Sequence, residues 1–425
     1  MALPSVSYAF KSRYGVGGGN SGRSSIELPR EFLPTRLYNH RSMTVTVRSF
    51  AKINLGLRIG PARQDGFHEL LTVYQTIALH DVIQVSVARG RGIEICCEDP
   101  RVPRDETNTC YRIAERAITA LVTKGRIVIE IDKRLPVQGG MGGASSNAVA
   151  TLLALERAVR KSLSQAEKLR IAADVGSDLP LFLVGGAVLG VGRGERVFPL
   201  PDFPGIACVV VTPEIGVSTP KAFAEWDRRQ GLKPYSSAGP DAALKARSPT
   251  VSPAAPSSST AATTPTADTA SLRSAGTDEG ARPYASSGGD DNDKLTVSDA
   301  SDRMDGLGYG LSAWLSELHS GAPSSSRRGG RAGNPLLRLV RAGIENDFEQ
   351  VVFPEYPELG EAKRALVRAG AEYASLSGSG STLYGLFGSR QAADRAVSRL
   401  RKAGWAAQAT VTLTRAAYWR RVFGR

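Results

Sequence analysis

The chain has 425 residues, 41% of them hydrophobic, and 54 basic against 41 acidic side chains give it a net charge of +13. That is enough apolar material for one or two compact units, and about two to three domains by length alone. No run approaches the ~20 apolar residues of a membrane helix. No apolar segment follows Lys11 and Arg13 as in a secretory leader, and the four cysteines form no C-x-x-C pair, which favours reduced structural thiols in a cytoplasm.

Residues 1–43 read as a disordered extension, glycine-rich at 15–19, with Met43 as either the true start or the last residue before ordered structure. Strand patterns follow over 44–59, 69–79, 82–87 and 92–97. A helix is predicted over 108–122, where Ile113, Ala117 and Leu121 share one face. A strand at 127–131 then feeds the glycine-rich stretch 135–148, LPVQGGMGGASSNA, and a helix leaves it over 145–160.

The second half opens with a strand at 206–211. Residues 231–304 are Ser, Ala, Pro, Thr and Asp with almost no aliphatic side chains, so they cannot offset their ordering entropy and are expected to be a disordered insertion. Residues 322–333 are a shorter such stretch. Helices are predicted near 311–319, 336–342 and 358–369, strands at 373–377 and 382–387, a helix at 390–403 and a last strand at 405–413. Strands mixed with helices in both 44–205 and 206–425 indicate an α+β fold.

Five motifs carry chemistry. In Ala51-Lys52-Ile53-Asn54-Leu55-Gly56-Leu57, alternation puts Lys52 and Asn54 together on one strand face. The plain alternative is the wet face of an edge strand. Phe67-His68 pairs a flat apolar ring with a polar one, fit either to hold a planar base or to sit in a core beside a turn. In the glycine stretch, a helix beginning after bare backbone aims unpaired N–H groups and its positive dipole end at the loop, a natural phosphate cradle. Ser145 and Ser146 could cap that helix, bind phosphate oxygens or help hold a magnesium ion. A flexible glycine turn is the plain alternative. It is not a P-loop, because the chain contains no Gly-Lys pair. In Gly176-Ser177-Asp178-Leu179-Pro180, Asp178 is a candidate base or a simple helix cap. The last motif, Leu376-Ser377-Gly378-Ser379-Gly380-Ser381-Thr382, lets backbone approach backbone after a strand.

In order, A-K-I-N-L, D-G-F-H, P-x-x-G-G-M-G-G-x-S-S-N-A, G-x-D-x-P and S-G-S-G-S-T resemble the motifs of the GHMP kinases. Within them they look most like the 4-diphosphocytidyl-2-C-methyl-D-erythritol kinases. The resemblance covers roughly 44–230 and 305–413. It departs at Gln138 and Ala144, where the family usually has glycine, at Phe50 (usually Pro), and at Phe67 (usually Tyr). It implies a two-lobed fold, an ATP-binding lobe over 44–205 and a second lobe over 206–425, with the active site in the cleft. It implies an ATP- and Mg²⁺-dependent kinase acting on the 2-hydroxyl of a cytidine diphosphate ester of methylerythritol. The catalytic roles fall on Lys52 and Asp178. ATP contacts fall on Pro136, Gly139, Gly140, Met141, Gly142, Gly143, Ala144, Ser145, Ser146 and Asn108, and substrate contacts on Asn54, Phe67, His68 and Thr219. No metal ligand is assigned. Asn346-Asp347-Phe348-Glu349 is read as a structural helix start, and Asp174 as a decoy. The expected protein is cytoplasmic, a monomer or homodimer, with no nucleic-acid or membrane partner. The rivals are another GHMP small-molecule kinase of homoserine or mevalonate type, a catalytically silent ligand-binding member, and a nucleic-acid binder using the basic C-terminal end.

Overall fold

The computed structural model describes residues 43–230 and 345–424. The segments predicted at 1–42, 231–304, 311–319, 322–333 and 336–342 lie outside the described residues.

A long β-ribbon organises the first half. β1 (Val45–Ala62) runs antiparallel to β2 (His68–Ala88) along nearly the whole length of both. The strands predicted at 69–79 and 82–87 are therefore two halves of one strand, a correction with a simple origin. β2 changes partner at the point where the pattern broke. Residues 82–88 pair with β4 (Arg126–Asp132), and residues 70–75 pair with β5 (Ala187–Gly192). The register against β1 shifts there too: Phe50 faces His80, but Lys52 faces Thr76. β3 (Gly92–Cys97) lies parallel to β4, and β6 (Arg196–Pro199) completes the order β3-β4-β2-β5-β6. A second, wholly antiparallel sheet follows the order β10-β7-β9-β8, from β7 (Ala207–Val211), β8 (Tyr373–Leu376), β9 (Leu383–Phe387) and β10 (Ala407–Val411).

Nine helices are described. α1 (Thr109–Ala120), α2 (Gly143–Val159), α3 (Gln165–Val175) and α4 (Leu179–Phe182) pack on the first sheet. α5 (Thr219–Arg229), α6 (Glu349–Glu355), α7 (Pro357–Arg368) and α8 (Arg390–Lys402) surround the second. Helices pack on mainly antiparallel sheets, which is the α+β arrangement. α3, α4, α5, β5 and β6 were not predicted, although Ser164 and Glu167 form a full capping box at the start of α3, a signal written in the sequence. α9 (Arg415–Val422) was also missed. It follows the second sheet in the chain but inserts Tyr418 and Val422 into the core of the first, with the Tyr418 hydroxyl donating to the Phe182 carbonyl at 2.7 Å.

β1 passes through all three apolar clusters. Phe50 sits in the first, Ala51, Ile53 and Leu55 in the second, Leu57 and Ile59 in the third. It is buried on both faces from Ser49 to Gly60, which rules out the plain alternative of a wet strand face at Lys52 and Asn54. The Asn346–Glu349 stretch ties the two halves together. Asp347, fully buried, takes the Arg58 guanidinium at 2.8 Å and the Ile59 N–H at 2.9 Å, and the Leu57 N–H donates to the Glu345 carbonyl. Glu349 begins α6 and accepts the Leu376 N–H, so the segment is a helix start that also anchors β8.

Candidate active site

Lys52 and Asp178 meet at 3.3 Å, Nζ to Oδ2, where β1 passes the start of α4. The Lys52 side chain is 4% exposed and the Asp178 side chain 32%, so the ammonium is held inside while the carboxylate faces an opening. Asn54 Oδ1 accepts from Lys52 Nζ at 2.6 Å, and Asn54 Nδ2 donates to Thr72 Oγ1 at 2.8 Å, which fixes which end of the amide faces the lysine. Asp178 occupies the N-cap position of α4 but makes no capping bond with its side chain. The carboxylate is thereby left for Lys52 and for Tyr74, whose hydroxyl donates to Asp178 Oδ1 at 3.1 Å. Asp174, the decoy, pairs instead with Arg170 on the exposed side of α3.

Tyr74 escaped the sequence reading because nothing local marks it. Only the registers of β2 against β1 and β5 bring it under Asp178. Burial, and then the neighbouring Asp178 charge, push its phenol well above the usual value, so it stays protonated and offers its proton to the carboxylate. We expect Tyr74→Phe to lower kcat about tenfold, because the carboxylate loses a charge-assisted donor that positions it. An unchanged kcat would show that the hydroxyl is there only for packing.

The glycine stretch lies beside this pair. The Lys52 N–H donates to the Met141 carbonyl at 3.0 Å. Gly142 is the N-cap of α2 in a left-handed conformation, φ +67°, and a Cβ there would stand 3.1 Å from Lys52 Cγ and 3.0 Å from Phe182 Cζ. Of the roles open to the serines, the cap does not hold: Gly142 takes that position, its left-handed φ favouring glycine and its space against Lys52 and Phe182 tight for a Cβ. Ser145 and Ser146 lie inside the first turn, and Ser146 is buried with its hydroxyl 2.7 Å from Ser49 Oγ. The Ser146 N–H makes the first bond of the helix, to the Gly142 carbonyl, so the N–H groups of Gly143, Ala144 and Ser145 have no acceptor within it. Gln138 stands at φ +60°, the conformation a glycine would adopt without strain, so the departure changes the residue and keeps the backbone path.

The Ser377–Thr382 loop closes on the glycine stretch from the second half. Ser377 Oγ donates to the Gly140 carbonyl at 3.0 Å, and the Thr382 N–H donates to the Gly139 carbonyl at 3.2 Å. A Cβ on Gly140 (φ +73°) would collide with the Ser377 carbonyl and come 2.9 Å from that of Gly380. Gly140→Ala is therefore expected to lower kcat/KM for the nucleotide about 5- to 150-fold, given ~1–3 kcal/mol of backbone strain. Unaltered kinetics would contradict this reading of the loop.

Beneath the loop lies a second group that the sequence reading passed over. Asp81, fully buried, accepts from Lys133 Nζ at 2.8 Å, Asn147 Nδ2 at 2.9 Å, and the N–H groups of Arg134 and Leu135 at 2.7 Å each. One carboxylate thus fixes both the strand end that enters the loop and the helix that leaves it. An acid amid the apolar pattern at 69–87 was the available signal, and it was read as a strand break.

On the outer side, a cavity of about 340 Å³ runs from Val102 and Asn108 to Pro136, Gly139–Ala144 and Ser145. The chemistry of its lining fits a nucleoside triphosphate: bare glycine backbone and unpaired helix N–H groups, with the Lys133 stem in the wall. The Thr382 hydroxyl, buried without a partner, stands where a Cβ on Gly139 would lie 2.8 Å from it. Asn108 borders the cavity, but both ends of its amide are engaged, Oδ1 capping α1 through the Cys110 N–H and Nδ2 donating to the Pro103 carbonyl.

Phe67 and His68 lie at the start of β2. Phe67 is 45% exposed, with the Arg193 guanidinium over its ring at 4.8 Å. His68 is buried, stacked on Phe223 with centroids 4.9 Å apart and bound through Nε2 to Asp227 at 2.7 Å. Phe223 and Asp227, both on α5, were not foreseen, because α5 itself was not. Thr219, in the first turn of α5, places its hydroxyl 2.7 Å from Ser379 Oγ. Among the described residues, no group of three or more His, Cys, Asp or Glu side chains could hold a metal ion.

The family model for the GHMP kinases N terminal domain matches residues 108–186, and that for GHMP kinases C terminal matches residues 332–405. The 4-diphosphocytidyl-2-C-methyl-D-erythritol kinase of Solibacter usitatus (strain Ellin6076) is 34% identical over 354 residues, covering 83% of this chain and 84% of that protein. That of Acaryochloris marina (strain MBIC 11017) is 30% identical over 359 residues, covering 84% and 92%. Two crystal structures share the fold: a 4-(cytidine 5'-diphospho)-2C-methyl-D-erythritol kinase with a TM-score of 0.55 at 24% identity (87% of this chain, 99% of that one), and the L. major mevalonate kinase in complex with R-mevalonate with a TM-score of 0.55 at 14% identity (88% and 97%). By its close relatives and both matched domains, this chain belongs to the 4-diphosphocytidyl-2-C-methyl-D-erythritol kinases of the GHMP kinase superfamily.

Proposed function

We propose that this chain transfers the γ-phosphoryl group of ATP to the 2-hydroxyl of 4-diphosphocytidyl-2-C-methyl-D-erythritol, a step of non-mevalonate isoprenoid precursor formation. The observation that carries the reading is the Lys52–Asp178 pair, 3.3 Å apart, with Lys52 packed against the N-cap of α2. A carboxylate can take the proton of the attacking alcohol, and a buried ammonium beside it stabilises the oxygen as negative charge develops. Asn54 and Tyr74 hold these two groups in place. The Gly139–Gly143 backbone and the free N–H groups of α2 would grip the nucleotide phosphates. Bound ATP supplies the phosphoryl group. Magnesium usually keeps several waters and leans on nucleotide phosphates, so it is expected to arrive with ATP, and no residue is assigned to it. Phe67 and His68 are read as the base-binding end, with Thr219 at the edge of the acceptor crevice.

The setting we infer is a cytoplasmic monomer or homodimer acting on small molecules, with no nucleic-acid partner. Burial pushes the Cys110 thiol up to about 12 and Cys208 higher still, in keeping with inert structural cysteines. No helix of the described residues is long and apolar enough to cross a membrane. In the basic C-terminal block, Arg415 turns inward to the carbonyls of Ala187 and Leu200, which supports a structural use of that charge.

A coupled kinase assay tests the reading. With ATP, the cytidine diphosphate ester is expected to be the best acceptor by kcat/KM. Faster turnover of mevalonate or homoserine would assign a sister activity. ATP binding without turnover would assign a silent member. Salt-dependent RNA binding abolished by trimming residues 415–425 would favour the nucleic-acid reading.

A further inference from the structure

Resting on that reading of the substrate, we infer that Arg193 binds its diphosphate and so decides that the acceptor must be a diphosphate ester. The argument begins with connectivity. In 4-diphosphocytidyl-2-C-methyl-D-erythritol the diphosphate is on C4 and the reacting hydroxyl on C2. A doubly charged group must therefore lie between the base and the alcohol, close to the alcohol. On the protein, the corresponding ends are Phe67 with His68, and Lys52 with Asp178.

Arg193 lies on the turn between β5 and β6, and this turn touches both ends. The Arg193 guanidinium covers the Phe67 ring at 4.8 Å. Its neighbour Gly194 (φ +95°) lies against the Tyr74 hydroxyl so closely that a Cβ would collide with it. That hydroxyl in turn holds Asp178 at 3.1 Å. One residue thus separates the cation beside the base platform from the group that positions the carboxylate. Among the described residues, the one carboxylate within 4 Å of the guanidinium is Glu195, at a loose 3.8 Å. Glu195 is mainly engaged elsewhere, its Oε2 taking the Arg193 N–H at 2.6 Å, a bond that fixes the turn. The two other acids nearby are both engaged: Asp65 is held by Arg63, and Glu69 takes the Gly192 N–H at 3.0 Å and Arg63 at 2.7 Å. The Arg193 side chain is 31% exposed, open to a ligand and partly desolvated. Arginine offers a rigid fork of donors matched to phosphate oxygens, while Lys52 is committed to Asn54 and Asp178.

The test compares wild type with Arg193→Gln and Arg193→Lys at saturating ATP, using the ester as substrate and cytidine 5'-diphosphate and cytidine as competitors. For Arg193→Gln we expect KM for the ester and the inhibition constant of the diphosphate to rise about 10- to 100-fold, the value of a charge-assisted hydrogen bond. The inhibition constant of cytidine and the KM for ATP should move less than about twofold. Arg193→Lys should recover part of the loss. Equal weakening of cytidine and its diphosphate would mean that Arg193 only steadies Phe67, and unchanged diphosphate binding would remove it from the site. Either overturns the inference. If wild type does not turn the ester over, the functional reading falls by itself, and calorimetry of the two competitors still decides what Arg193 binds.

Discussion

Asp178→Asn is expected to lower kcat for phosphoryl transfer by about 10²- to 10⁴-fold, the usual contribution of a positioned general base. The amide keeps the shape and can still meet Tyr74 and Lys52, but it cannot accept the proton of the alcohol. The side chain is 32% exposed, so the fold should survive with little change in thermal midpoint. KM for ATP should hardly move, because the glycine backbone and the N-terminus of α2 grip the phosphates without Asp178. A variant of normal rate would remove Asp178 from the chemistry. A variant equally impaired in ATP binding would show that it shapes the nucleotide pocket instead.

The second large effect is on stability. Asp81→Asn should cost about 3–5 kcal/mol, since it leaves the Lys133 ammonium, 8% exposed, without its buried counter-charge. For a domain of this size that is roughly a 10 °C fall in thermal midpoint. The same carboxylate holds the Arg134 and Leu135 N–H groups and Asn147, on both sides of the glycine stretch. KM for ATP should therefore rise together with the loss of stability. Differential scanning calorimetry with steady-state ATP kinetics checks both. A midpoint within 2 °C of wild type would mean that the loop does not depend on Asp81.

What the sequence made legible was chemistry with strict local demands. Gly140 and Gly142 both take left-handed φ, and a Cβ on Gly140 would strike the Ser377 carbonyl; a run of glycines before a helix announces such demands on its own. Lys52 and Asn54 could be paired by spacing along one strand, although their burial could not be seen. That depended on β1 being covered on both faces by elements far away in the chain. Tyr74, Asp81 and Arg193 were invisible for the same reason: each acquires its partner only through strand register or through a turn that crosses the sheet. The break read at residues 80–81 was real, but it marked a change of partner along one strand rather than a turn. The serine cap gave way to Gly142, whose left-handed φ suits glycine at a tight approach to Lys52 and Phe182, and α2 begins two residues before Ser145.

The most direct test is a crystal structure of the chain with a non-hydrolysable ATP analogue and the cytidine diphosphate ester bound together. The triphosphate should lie along Gly139–Gly143 at the start of α2, with the 2-hydroxyl within hydrogen-bond reach of Asp178 and Lys52, between them and the terminal phosphate. A nucleotide bound elsewhere, or an acceptor hydroxyl turned away from Asp178, would contradict the account.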